Sequence, residues 1–308
     1  MSAKSDDSYA EILALYTGTL ASFALGDLED MRRKSEAILP SAERLRDRFW
    51  LAGALRCKES VSRLEGNWDT ARDLNDQGLA IAALEPRSLC NRALLEYESG
   101  DFVKGEVYLA RLLELMRSTP EGPSLEYAYS AAVILLVARI TGNNDRTDIA
   151  REAAQKVISF PYVTPYVGAL ARAGLGLLAV SQANDSEAEA QYAELKHTAG
   201  TMLLFPTIAG DRLLALLAQT MGDMETSQSH FEDSLTFCRK AGYRPELAWT
   251  CCDYADLLLD PSTSAGRADS DNRTKANAML DESLAISSEL GMRPLLERVL
   301  SRREILKA

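Results

Sequence analysis

A turn marker, glycine or alanine followed by aspartate or asparagine, recurs along this chain at a near-constant interval. The markers at Gly26, Gly66, Gly100, Gly142, Ala183 and Gly222 lie 34 to 42 residues apart, with a looser seventh in the polar stretch before Ala276. Beyond each marker, small or apolar residues fall at offsets that a helix turns to one side. Gly222-Asp223-Met224 leads to Ser227, Phe231, Ser234 and Leu235, Gly66-Asn67-Trp68 to Ala71 and Leu79, and Gly100-Asp101-Phe102 to Gly105, Leu109 and Leu112. A lone hairpin cannot bury such a face, so a helical period of this length predicts stacked hairpins.

One internal identity supports duplication of the unit. Ser234-Leu235 followed by Gly242-Tyr243-Arg244-Pro245 returns 49 residues later as Ser283-Leu284 followed by Gly291-Met292-Arg293-Pro294. The glycine suits the left-handed end of one helix and the proline the first turn of the next, so the motif is a stop–start joint.

The pattern predicts helices over residues 7–25 and 28–39, with Pro40 as a stop and Ser41 as the cap of a helix reaching residue 65. That helix returns over 68–86; a third pair follows over 87–99 and 102–117, a fourth over 125–141 and 148–159, and Pro165 launches a fifth. A soft stretch, 198–206, precedes helices over 208–221 and 225–240. The seventh pair is split by a polar loop, 260–272, and a short helix over 294–306 closes the chain. No period-2 run survives inspection, so no strand is expected. The expected fold is all-α: one repeat domain over 1–308, a right-handed superhelix of about seven antiparallel hairpins with a C-terminal closing helix. Ala71, Ala188 and Ala276 fall where neighbouring helices should touch.

These features resemble the tetratricopeptide-repeat family. From residue 210 onward the resemblance narrows. Gly210-Asp-Arg-Leu-Leu-Ala-Leu-Leu-Ala218, His230-Phe-Glu-Asp-Ser-Leu235, Arg244-Pro-Glu-Leu-Ala-Trp249 and Leu290-Gly-Met-Arg-Pro294 look like the C-terminal tetratricopeptide-like region of bacterial signalling ATPases, some cyclase-linked and others LuxR-type regulators. The resemblance implies a non-enzymatic sensor or protein-interaction module. This chain shows no Gly-x-x-x-x-Gly-Lys-Ser/Thr loop, cyclase segment or helix-turn-helix region.

Charge narrows the partners. A net charge of −11 opposes binding to nucleic acid or to an anionic membrane surface. The N-terminus lacks an apolar leader core, and the longest apolar run, residues 131–138, is too short to span a bilayer. Five cysteines without framework spacing read as small buried residues in a reducing cytoplasm. A protein or peptide partner, an acidic one included, is expected, with a self-associating scaffold as the alternative.

No catalytic constellation emerges. Glu194 and His197 form one Glu-x-x-His where a helical di-metal site needs two, His230 reads as an edge residue, and Cys251-Cys252 diverge on a helix. Glu96, Glu98, Glu232, Asp233, Asp253 and Asp256 read as solvated. No metal or cofactor is expected, and an enzyme with its site in the groove is the least favoured alternative. Counting back from the markers, the concave face should carry Arg56, Arg63, Asn91, Tyr97, Tyr129, Arg139, Arg212, Gln219 and Trp249. If unpaired, the four arginines would form a positive strip suited to carboxylate or phosphate groups. Tyrosine and tryptophan are frequent interface anchors.

Overall fold

All but one of the six clear turn markers join two caps, the exception being Gly142-Asn143, after which α8 has no side-chain cap. In the computed structural model, which describes residues 2–204, 208–260 and 267–307, Gly26, Gly66, Gly100, Gly142 and Gly222 all adopt positive φ. The side chains of Asp27, Asn67, Asp101, Asn184 and Asp223 each accept a hydrogen bond from the amide three residues on. The glycine thus reverses the chain and the next side chain satisfies an amide that the new helix leaves unpaired. Ala183 holds the left-handed conformation without being glycine, at φ 47°.

The outcome is an all-α solenoid of paired helices. The pairs are α1 (Ser2–Leu25) with α2 (Leu28–Leu45), α3 (Arg48–Glu65) with α4 (Trp68–Ile81), α5 (Pro86–Ser99) with α6 (Phe102–Ser118), and α7 (Leu125–Thr141) with α8 (Thr147–Ile158). They continue with α9 (Pro165–Ser181) and α10 (Asp185–Leu195), α11 (Gly210–Thr220) and α12 (Met224–Ala241), and α13 (Arg244–Leu258) and α14 (Arg267–Leu290). α15 (Arg293–Lys307) ends the chain. The odd-numbered helices from α3 to α13 are the more buried layer: α7 is buried continuously from Tyr127 to Ala138, whereas α4 buries only Trp68, Ala71, Asn75, Gly78 and Leu79. At the α7–α9 crossing, a Cβ on Gly174 would come within 2.9 Å of the Ala131 backbone, so only glycine permits that approach.

Four expectations need correction. Pro40 does not stop α2, which runs on to Leu45 with Ile38, Ser41 and Ala42 buried; that burial offsets the missing amide bond. Ser41 therefore caps nothing, and Asp47 caps α3 by accepting from the amides of Phe49 and Trp50. A small antiparallel pair, β1 (Met202–Leu204) and β2 (Ile208–Ala209), forms in the soft stretch. It is too short for alternation to announce it. The polar loop is shorter than expected, because residues from Arg267 onward are already helical and Asp271 suits the first turns of a helix. Residues 261–266 of that loop, and 205–207, lie outside the described residues.

The solenoid closes on itself. Tyr243 donates its hydroxyl hydrogen to the Phe23 carbonyl at 2.8 Å, and Trp68 Nε1 donates to the Leu290 carbonyl at 2.6 Å. Arg293 Nε donates to the Ser99 carbonyl at 3.2 Å. One apolar cluster joins Phe23, Met31, Val61 and Trp68 to Phe231, Tyr254, Leu280 and Val299. The first hairpins and the last therefore share a core, and α15 packs against α5 and α7 on the inner side. Among the described residues, no helix is long and apolar enough to cross a membrane.

Ala71, Ala188 and Ala276 are all fully buried. Ala188→Leu should therefore overpack the α9–α10 contact and cost about 1–3 kcal/mol, read as a lowered denaturant midpoint at unchanged helicity. An unshifted midpoint would contradict the packing described for α10.

Candidate functional site

The inner face is charged but internally neutralised. α13 places Glu246, Trp249, Asp253 and Asp256 along one side, at spacings of three and four. Asp253, only 2% exposed, accepts from Arg139 of α7 with both oxygens at 3.0 Å and from Arg212 Nε of α11 at 2.9 Å. Arg298 of α15 adds a bond at 3.2 Å and also reaches Asp256 at 2.9 Å. Arg212 Nη1 donates to Glu246 at 2.8 Å, and its guanidinium lies 5.6 Å from the centre of the Trp249 ring. The three guanidiniums hold the Asp253 carboxyl far below the ordinary range even though burial opposes ionisation.

A second cluster lies on α3 and α5. Arg63 donates to Glu98 and to the Asn91 carbonyl, both at 3.2 Å, and Asn91 Nδ2 donates to Glu59 at 2.7 Å. Glu59 is fully buried with one oxygen unpartnered, and burial pushes its carboxyl up to about 7.

All four arginines expected on the concave face are inside, but no free positive strip results, because each already faces a carboxylate of its own chain. Arg56 lies 3.5 Å from Glu85. Desolvated guanidiniums need such partners, and the carboxylates come from helices that sequence separation hides. Asp253, Glu96 and Glu98 are accordingly buried, where solvated faces were expected. Tyr97 is buried and donates to Glu106 at 3.0 Å, Trp249 is buried against the arginines, and Gln219 is half-buried in the last turn of α11.

Tyr129 leads to a different place. Its hydroxyl lies 2.5 Å from that of Tyr166, and Tyr166 lines a cavity of about 200 Å³ at one mouth of the closed array. The walls are Leu20, Phe23 and Ala24 of α1 with Met202 and Leu203 of β1; the polar groups are Tyr16, Arg56, Arg87 and Tyr166. The Tyr16 hydroxyl accepts from Arg56 Nη2 at 2.5 Å and from Arg87 Nη1 at 3.1 Å. Glu85 accepts from Arg87 Nε at 2.5 Å and caps α5 through the Ser88 amide at 2.8 Å. Of this set only Arg56 and Tyr129 were expected. Tyr16, Arg87 and Tyr166 come together only when α1, α5 and α9 meet. Arg87 and Tyr166 do share one local signal, since each directly follows the proline that opens its helix.

His230, expected at an edge, is half-buried: Nδ1 is 2.8 Å from Asp211 Oδ1 and Nε2 is 2.9 Å from the Tyr192 hydroxyl. With Asp233 these make the three-ligand group Asp211, His230 and Asp233, but Asp211 also accepts from the Gly200 amide at 2.6 Å. His197 is exposed, and Glu194 pairs with Arg172. All five cysteines are buried free thiols, and desolvation pushes Cys57 up to about 11 and Cys252 up to about 12, disfavouring the thiolate.

No protein-family model matches the sequence, and no curated protein matches it. Among solved structures the chain is similar to a tetratricopeptide repeat protein from Parabacteroides merdae ATCC 43184. The two are 14% identical with a TM-score of 0.47, over 94% of this chain and 99% of that one.

Asp253→Asn should destabilise the protein by roughly 3–5 kcal/mol, because it leaves the Arg139 guanidinium without its counter-charge and takes one carboxylate from Arg212 and Arg298. Arg239→Ala, in the more exposed pair with Glu282, should cost no more than about 1 kcal/mol. Chemical denaturation of both variants at neutral pH checks the contrast.

Glu59 has the opposite sign to Asp253. Its folded-state value of about 7 lies above the ordinary 4.5, so the folded state holds the proton more tightly. Its contribution to stability is complete below the unfolded value and is lost as pH rises through about 7, on the order of 3 kcal/mol in all. Glu59→Gln removes this loss. The melting temperature of the variant should therefore gain on the parent as pH is raised from 5 to 8, and a constant difference would contradict the assignment.

Proposed function

We propose that residues 1–308 act as one non-enzymatic, tetratricopeptide-like binding module, the sensor or protein-interaction region of a bacterial signalling or transcription-regulatory system, working in the cytoplasm. The observation that carries this reading is the closed array with a cavity at its mouth. α1 and β1 wall that cavity, and α1 is also tied to the last hairpins through Phe23 and Tyr243. Whatever enters the cavity touches elements that hold the ring shut, which is how a passive fold relays occupancy. The resemblance of residues 210–294 to the C-terminal region of signalling ATPases supports the signalling part.

A protein or peptide partner fits this reading, but not through the inner arginines, which are matched by carboxylates. Recognition falls to the mouth and to the outer helices. Val103 and Val107, one turn apart on the outer side of α6, are 80% and 53% exposed beside the partly exposed Phe102. An exposed apolar stripe of this kind favours a second reading, a scaffold that associates with itself or another protein.

Light scattering across a wide concentration range separates the two. The sensor reading expects a constant monomer mass. Growth of mass with concentration, abolished by Val103→Lys with Val107→Lys, would replace it with the self-associating scaffold.

A further inference from the structure

The mouth cavity is unbalanced in both charge and hydrogen bonding. Two guanidiniums, Arg56 and Arg87, face one carboxylate, Glu85, leaving one positive charge in excess. Arg56 is buried, so this excess cannot be dissipated by water around it. Glu59, the next carboxylate along α3, is turned to Asn91.

The donors are in excess as well. Tyr16 accepts two hydrogen bonds from the guanidiniums, so its oxygen is saturated as an acceptor and its own hydrogen is left to donate. In the Tyr129–Tyr166 pair one hydroxyl donates to the other, which leaves one hydrogen without an acceptor in that pair. Arg87 uses Nε for Glu85 and Nη1 for Tyr16; no bond from Nη2 is among its contacts in the described residues. Among the described residues, the carboxylate that faces these guanidiniums is Glu85, which already takes Arg87 Nε and the Ser88 amide. Tyr16, Arg87 and Tyr166 all border the same cavity, and the rest of its lining besides Arg56 is hydrocarbon from Leu20, Phe23, Ala24, Met202 and Leu203. Tyr166 is 44% exposed, so the cavity reaches the surface at this residue.

We infer that this cavity binds a small organic monocarboxylate with a flat apolar body, about the size of benzoate. This deepens the binding-module reading, on which it rests, by naming the effector's chemical class. The carboxylate takes the Tyr16 and Tyr166 hydroxyl hydrogens and the Arg87 guanidinium, and the apolar body lies against α1 and β1. Size sets the limit: a cavity of about 150 Å³ accepts benzene, so about 200 Å³ accepts one ring with a carboxylate and little more. A single negative charge cancels the excess, whereas a dianion would overshoot it.

The test is titration of the intact chain with benzoate and with benzamide, its neutral isostere. Calorimetry gives the stoichiometry, and fluorescence of Trp50, whose ring lies 5.7 Å from that of Tyr16, gives a local signal. One benzoate per chain is expected, with benzamide at least about tenfold weaker because it lacks the charge that strengthens each hydrogen bond. Arg87→Gln should weaken benzoate by a similar factor and leave benzamide unchanged. Ala24→Leu, which fills the cavity from its apolar wall, should weaken both. Melting curves without ligand show whether each variant is folded, and either variant alone suffices. Equal binding of benzoate and benzamide, or benzoate binding unaffected in a folded variant, overturns the assignment. Failure of the parent chain to bind benzoate at all also overturns it, whereas the binding-module reading fails separately, on the scattering measurement.

Discussion

A buried carboxylate shared by three guanidiniums is tolerable only when all four side chains arrive together, and in this protein they come from four different helices. Asp253 draws Arg139, Arg212 and Arg298 to one point from α7, α11 and α15. Removing Asp253 leaves the Arg139 guanidinium without its counterpart, and removing an arginine weakens the compensation of a buried carboxylate, so the cluster favours a single arrangement of the inner helices. The closing contacts work with it. Trp68 to Leu290 and Tyr243 to Phe23 span more than two hundred residues of sequence and fasten the first hairpins to the last.

Closure changes what a repeat array of this kind can offer. In an open solenoid each hairpin touches only its neighbours, and the concave face is left for a partner. Here α13 and α5 supply carboxylates to that face, so the inner arginines are occupied by the chain itself. The unmatched polar groups lie instead at the mouth, where Arg56, Arg87, Tyr16 and Tyr166 meet apolar walls from α1 and β1. That site sits on the elements that complete the ring, which links its occupancy to closure.

The two kinds of buried carboxylate set opposing pH responses. Asp253 stays ionised because three cations outweigh its desolvation, while Glu59, hydrogen-bonded to the Asn91 amide and the Ser60 hydroxyl, holds its proton toward neutrality because its desolvation outweighs the arginines near it. Burial is the same; the number of cations in contact decides the sign.

The sequence by itself determined the helices, their pairing and most of their ends. Those depend on local chemistry: a left-handed glycine, a capping Asp or Asn, and an apolar stripe within one helix. It also put Arg56, Arg63, Arg139 and Arg212 on the inner side, since helical phase follows from counting. Two local signs misled. Pro40 lies inside α2 because burial of Ile38 and Ala42 outweighs one lost amide bond, and β1 and β2 are too short to show alternation. Only the tertiary structure decided that the array closes, that Asp253 and Glu98 are buried partners and not solvated acids, and that Tyr16, Arg87 and Tyr166 share a cavity. Each of these outcomes depends on the small rotation between successive hairpins. That rotation accumulates along the whole array and is written in no single repeat.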